Sequence, residues 1–228
     1  MHRDLNSQRE GNTILESIDT KKIKYLKTKV IGQSERLWES FLWRYTNNMY
    51  HALTVEIMLQ RTRAEQVEPI YRNFTEHYSS PGEYLEKCSH NIFTHLGLLG
   101  RNLQFQKLSQ ILVLRKEIPI EKNELLKLPG VGLYVASAFR SLHLRKRDTL
   151  VDSNIIRFYG RFFGLDYKKV SHRDRGIQEL SERITPKYIF RTFNYAVLDF
   201  TRKICKPINP ECGNCFLNKK CNFYHQLK

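Results

Sequence analysis

The chain has 228 residues, with 38 Lys plus Arg against 23 Asp plus Glu and a formal net charge of +15. That length suits one large domain or two small lobes and can bury roughly 70% of its unfolded surface without disulfides. The charge surplus points to a polyanionic partner, nucleic acid or an acidic membrane, while 41% hydrophobic residues argue against wholesale disorder.

Apolar runs such as Ile111-Leu112-Val113-Leu114 fall far short of the about 20 residues that cross a bilayer. The start, Met1-His2-Arg3-Asp4-Leu5-Asn6-Ser7, lacks the apolar core of a secretory signal. An intracellular protein is therefore expected, with no membrane partner.

Residues 1–30 read as a polar, basic extension whose first dozen residues are loose. Its lysines, Lys21, Lys22, Lys24, Lys27 and Lys29, suit a solvated helix face first and a DNA-contacting arm second. From Leu37 onward apolar residues recur at helical spacing, as in Leu53, Ile57, Val67, Ile70, Tyr71 and Phe74. Ser79-Ser80-Pro81-Gly82 is a break, with Pro81 suited to the first turn of a following helix. Gly97 and Gly100 flank a second break, after which Leu103, Leu108, Ile111, Leu112 and Leu114 mark another amphipathic helix. No period-2 stretch is long enough for a strand. The fold class is all-α, with about eight to eleven short helices.

Residues 123–143 carry the clearest motif. A short helix, Asn123 to Leu128, is followed by the connection Pro129-Gly130-Val131-Gly132 and by a second helix, Leu133 to His143. Two glycines two apart let the backbone turn sharply and approach another surface. The second helix then offers its first amides to a phosphate. A ligand-free helix corner has the same pattern, and the +15 charge tips the reading toward phosphate. The stretch from Arg140 to Lys187 adds twelve Lys or Arg against six acidic residues, which suits backbone contacts.

Cys88 stands alone and reads as a small buried residue. The other four, Cys205, Cys212, Cys215 and Cys221, fall within the last 24 residues, with gaps of six, two and five. Without an export signal this is a metal site rather than a disulfide framework. On spacing alone, tetrahedral zinc and an iron–sulfur cluster stand level. His143 and His172 show no metal spacing and read as structural.

Leu128-Pro129-Gly130-Val131-Gly132 resembles the helix–hairpin–helix of the endonuclease III and adenine glycosylase superfamily of DNA repair enzymes. Val151-Asp152-Ser153-Asn154-Ile155-Ile156-Arg157 resembles the segment carrying that superfamily's essential aspartate, and the cysteine spacing its [4Fe–4S] loop. Glu56-Ile57-Met58-Leu59-Gln60-Arg61-Thr62 resembles the helix end and loop that reach into DNA. Tyr134 stands where bifunctional members have lysine and adenine glycosylases usually serine, which is similar to thymine/uracil mismatch glycosylases. Arg61 departs from the glutamine of several relatives. The chain ends just after the cysteines, so the adenine glycosylases' 8-oxoguanine-reading module is expected to be missing.

The resemblance implies a two-lobe helical fold with a DNA-binding cleft and a C-terminal cluster loop at 205–221. One lobe is a six-helix unit of residues 51–144; the other joins 31–50 to 145–228. It implies a [4Fe–4S] cofactor on the four cysteines and a monomer acting on duplex DNA with a mispaired base, in the cytoplasm or nucleoid of a prokaryote. Gln60, Arg61, Leu128, Gly130, Val131, Gly132 and Arg157 are the expected DNA-binding residues; Asp152, Tyr134 and Glu56 are the catalytic candidates.

The chemistry explains those residue types. A base must leave the stack before it can be cut, at a cost of a few kcal/mol that a mispair lowers. Breaking the N-glycosidic bond builds positive charge on the sugar, which a fixed carboxylate stabilises, or whose attacking water it activates. Asp152 has that role by resemblance and reads otherwise as a helix N-cap. A lysine at 134 would attack the sugar and lead to strand cleavage, whereas Tyr134 stacks on the extruded base or packs in the core. Glu56 bonds or protonates the base, or is a surface glutamate. Arg61 fills the gap or reads the orphan guanine, or is a surface arginine. The expected activity is a monofunctional thymine or uracil glycosylase acting opposite guanine. The alternatives are an adenine glycosylase and a non-catalytic DNA-binding iron–sulfur protein.

Overall fold

The computed structural model describes residues 18–87, 92–94, 96 and 100–227. The first dozen residues, Cys88 and Gly97, each given a reading above, lie outside the described residues. Among the described residues all regular secondary structure is helical, with no strand. It divides into two compact units, one reaching to Glu39 and resuming at Arg147, the other running Ser40–Lys146.

The Ser40–Lys146 unit holds α3 (Met49–Met58), α4 (Ala64–His77), α5 (Pro81–Lys87), α6 (Gly100–Arg115), α7 (Lys122–Leu125) and α8 (Leu133–Ala138). Asn48 starts α3, its side chain accepting from the amides of Tyr50 and His51. Every residue of α3 from Ala52 to Met58 is buried, so this helix is the unit's centre. Around it, Phe41 stacks on Trp43 at 4.4 Å, Trp43 meets Tyr71 edge-on at 5.8 Å, and Tyr84 meets Phe105 at 4.9 Å. Each buried aromatic is worth about 1.5–3 kcal/mol in transfer alone. Pro81 does begin α5. In α6 the buried face is Asn102, Phe105, Leu108, Ser109 and Leu112. Leu103 and Leu114, expected on the apolar face, are 67% and 83% exposed; the Phe105–Leu108–Leu112 spacing claims the core instead.

The other unit holds α1 (Thr20–Ile31), α2 (Ser34–Leu37), α9 (Ser153–Phe163), α10 (Arg175–Ile184), α11 (Phe190–Lys203) and α12 (Asn222–Gln226). α1 buries Ile23, Leu26 and Val30 and leaves Lys21, Lys24 and Lys29 exposed. Lys22 instead turns inward, donating to Asn222 Oδ1 at 2.7 Å over the Phe162 ring. α9 stops at Gly164, whose φ of +81° is left-handed and whose amide bonds the Gly160 carbonyl at 2.8 Å.

Candidate active site

In the Ser40–Lys146 unit the hairpin takes the predicted form. α7 ends at Leu125 and turns through Leu126, and the chain reverses at Gly130, where φ is +78°. Only glycine adopts that conformation freely. Gly132 then caps α8 in extended geometry. The second helix is α-helical only to Ala138; Phe139–His143 widen into a π-turn. The side chains of Leu128 and Val131 are buried in the unit's core, which leaves the backbone between them as the hairpin's outward element. Tyr134 is half-buried in the first turn of α8.

The end of α3 is tied to this hairpin. Gln60 Nε2 donates to the Gly130 carbonyl at 2.9 Å. Arg101 Nη1, from α6, donates to the carbonyls of Ile57 at 2.8 Å and Gln60 at 3.0 Å, capping α3. The following residue, Arg61, is exposed and held at φ 61°. A non-glycine residue there carries strain of about 1–2 kcal/mol, and such strain gathers at functional loops. Arg101 was not among the sequence candidates: nothing in its local pattern marks it, since its partners lie 41 and 44 residues away.

Glu56 is not a surface glutamate. It is 1% exposed, and its Oε1 lies 2.8 Å from His143 Nε2 at the end of the π-turn. Its Oε2 is buried with no hydrogen-bond partner among the described residues. Such an acceptor costs about 1–3 kcal/mol. Tyr71 lies within electrostatic reach; burial pushes its hydroxyl up to about 12, and the Glu56 charge adds to the effect.

In the other unit, Asp152 is the N-cap of α9. Its Oδ1 accepts from the Ile155 amide at 2.8 Å and its Oδ2 from Asn154 Nδ2 at 3.2 Å. Burial pushes its carboxyl above the ordinary range, against the lowering effect of those hydrogen bonds and of Arg157. Arg157, expected at DNA, is 8% exposed. Its guanidinium reaches Asn154 Oδ1 at 2.8 Å, the Cys205 carbonyl at 2.9 Å and the Thr201 carbonyl at 3.2 Å. It therefore joins the Asp152 cap to the cysteine loop and turns its charge to the protein's own acceptors.

The four cysteines line one partly open pocket with Phe158, Phe200 and Leu217. Arg161 organises its rim, donating to the Lys206 carbonyl at 2.7 Å and the Pro207 carbonyl at 3.1 Å. Burial pushes the thiols of Cys212, Cys215 and Cys221 up, Cys215 to about 12, and the neighbouring cysteines add to it. Among the described residues no group of three or more His, Cys, Asp or Glu is gathered so that it could hold a metal ion as it stands. No described helix is long and apolar enough to cross a membrane.

Comparison with known proteins adds three likenesses. A thymine/uracil-DNA glycosylase of Methanothermobacter thermautotrophicus is 31% identical over 192 residues, covering 82% of this chain and 87% of that protein. One of Pyrobaculum aerophilum is 34% identical over 194 residues, covering 81% and 84%. The solved structure of a thermostable thymine-DNA glycosylase superposes with a TM-score of 0.83 at 30% identity, over 90% of this chain and 98% of that one. No protein-family model matches.

Proposed function

We propose a specific reaction for this chain, which belongs to the helix–hairpin–helix DNA glycosylase superfamily: hydrolysis of the N-glycosidic bond of thymine or uracil mispaired with guanine in duplex DNA. The observation that carries the reading is the Asp152 cap. A carboxylate held by two hydrogen bonds at a helix start is fixed in place, and its burial outweighs the hydrogen bonds and the Arg157 charge that favour its ionised form. A cationic sugar is the partner that such a group stabilises most. Water's oxygen bonds to C1′, the bond from C1′ to the base nitrogen breaks, and that electron pair leaves with the base. Asp152 stabilises the sugar cation or takes the water's proton, and the base leaves as an anion that solvent then protonates.

The rest of the machinery binds. The backbone of Gly130 to Gly132 and the first amides of α8 face a phosphate, with Gln60 holding the hairpin. Arg61, exposed and pre-set, enters the duplex. Tyr134 packs against the flipped nucleotide and, having no amine, forms no Schiff base, so the product is an intact abasic site. The reading extends to a [4Fe–4S] cluster on Cys205, Cys212, Cys215 and Cys221: the four cysteines line one pocket, and four thiolates are the ligand set such a cluster takes. Its part is structural, tying the loop to α9 through Arg157 and Arg161.

The test uses duplexes with T·G, U·G, A·G and A opposite 8-oxoguanine, each with and without hot alkali, and borohydride as a trap. Release of T or U opposite G, with nicking only after alkali and no covalent capture, is expected. Efficient borohydride capture, or cleavage of the adenine duplexes alone, overturns the reading.

A further inference from the structure

Glu56 and His143 form a pair that the reaction above leaves unexplained. Their side chains are 2% and 4% exposed. Nε2 of His143 meets Oε1 at 2.8 Å, and Oε2 is buried with no hydrogen-bond partner among the described residues. A buried acceptor in that state calls for a functional account. His143 ends the π-turn Phe139–His143, a widening that recurs at functional sites. An α-helix continued through these residues would place the imidazole on a different bearing. Both partners belong to the Ser40–Lys146 unit, on α3 and on the segment that continues α8.

A carboxylate can only accept, so the hydrogen of this bond sits on Nε2 whenever Glu56 is ionised. We propose that His143 is a specificity-determining residue: by donating to Oε1 it holds Glu56 as a hydrogen-bond acceptor, with Oε2 reserved for an N–H of the flipped base. The inference rests on the glycosylase reading and deepens it. Thymine and uracil present an N3–H, which needs an acceptor, and they leave as N1 anions that need no prior protonation of the ring. Adenine's departure is eased by protonating a ring nitrogen, which needs an acid. A carboxylate held by His143 suits the first kind of base and fails the second. Binding must part the side chains that cover Oε2, and the base's N–H then fills the deficit.

The test compares the wild type with His143→Ala and His143→Gln, each checked by thermal melting. Single-turnover rates are measured on T·G, U·G and A·G duplexes. His143→Ala should slow T·G and U·G excision by about tenfold or more, the worth of one charge-assisted hydrogen bond, while A·G excision stays at the low wild-type level or rises. His143→Gln, whose amide N–H can still donate to Oε1, should recover most of the rate. A T·G rate for His143→Ala close to the wild type overturns the proposal. So does wild-type excision from A·G as fast as from T·G, or a Gln variant no better than Ala. Wild-type enzyme that releases neither T nor U opposite G sinks the glycosylase reading itself, a failure seen before any variant is assayed.

Discussion

Asp152→Asn separates the two duties of Asp152 most cleanly. Asn accepts the Ile155 amide as Asp does, and the two are near-equal N-caps. Substitution also removes a charge from a site whose burial pushes the carboxyl up. Stability at neutral pH should therefore hold or rise by up to about 1 kcal/mol, a Tm gain of roughly 0–4 °C for a chain this size. Asp152→Ala loses the cap and should cost about 0.5–2 kcal/mol. Catalysis responds in the opposite sense: loss of one pre-set charge-stabilising group costs about 10²–10³ in rate. Single-turnover base excision, DNA binding by fluorescence anisotropy and thermal melting should then show slow chemistry, unchanged affinity and an unchanged or raised Tm. A near-wild-type rate for Asp152→Asn removes Asp152 from the chemistry, and a Tm drop matching that of Asp152→Ala shows a purely structural carboxylate.

Further outcomes follow from the same geometry. The folded Asp152 carboxyl is raised above its unfolded value, so its contribution to stability is full at low pH and is lost as pH rises through the folded value; the Tm difference between Asp152→Asn and wild type should grow with pH, while excision, which needs the ionised form, falls off on acidification at a pH above the ordinary carboxylate range of about 4. Arg157→Met strips hydrogen bonds from Asn154 Oδ1 and the Thr201 and Cys205 carbonyls and should cost about 3 kcal/mol by chemical denaturation, with weaker iron retention; a loss below about 0.5 kcal/mol is that of an ordinary surface side chain and would contradict the link. Gly130→Ala should destabilise by about 1 kcal/mol because φ is +78°, whereas Gly132→Ala, with no described atom within 4 Å of the added Cβ, should leave the melt unchanged and weaken DNA binding.

Much of this architecture was legible in the sequence for physical reasons. Period-3.6 patterning exposed α3 and α4, and turn chemistry exposed Pro81 and the Gly130 reversal. Asp152 before Ser153 is a helix-start signal whatever its catalytic role. What stayed hidden depends on pairing across long separations. Nothing near position 56 shows that its carboxylate is buried, because the partner, His143, is 87 residues away. Arg157 looks like any basic residue until the Cys205 carbonyl appears beside it. Leu103 and Leu114 read with the apolar face of α6 but lie in solvent, because apolarity marks a face only when competing faces are poorer, and Phe105, Leu108 and Leu112 make a better one. The π-turn is set by how Phe139–His143 pack, and local propensity does not encode it.

The central claim is tested most directly by identifying the released base. Iron-loaded enzyme incubated with a T·G or U·G duplex, at enzyme in excess, should yield free thymine or uracil by mass spectrometry in step with alkali-labile sites, and none from matched T·A or U·A duplexes. Duplexes that are bound tightly yet retain every pyrimidine would contradict it.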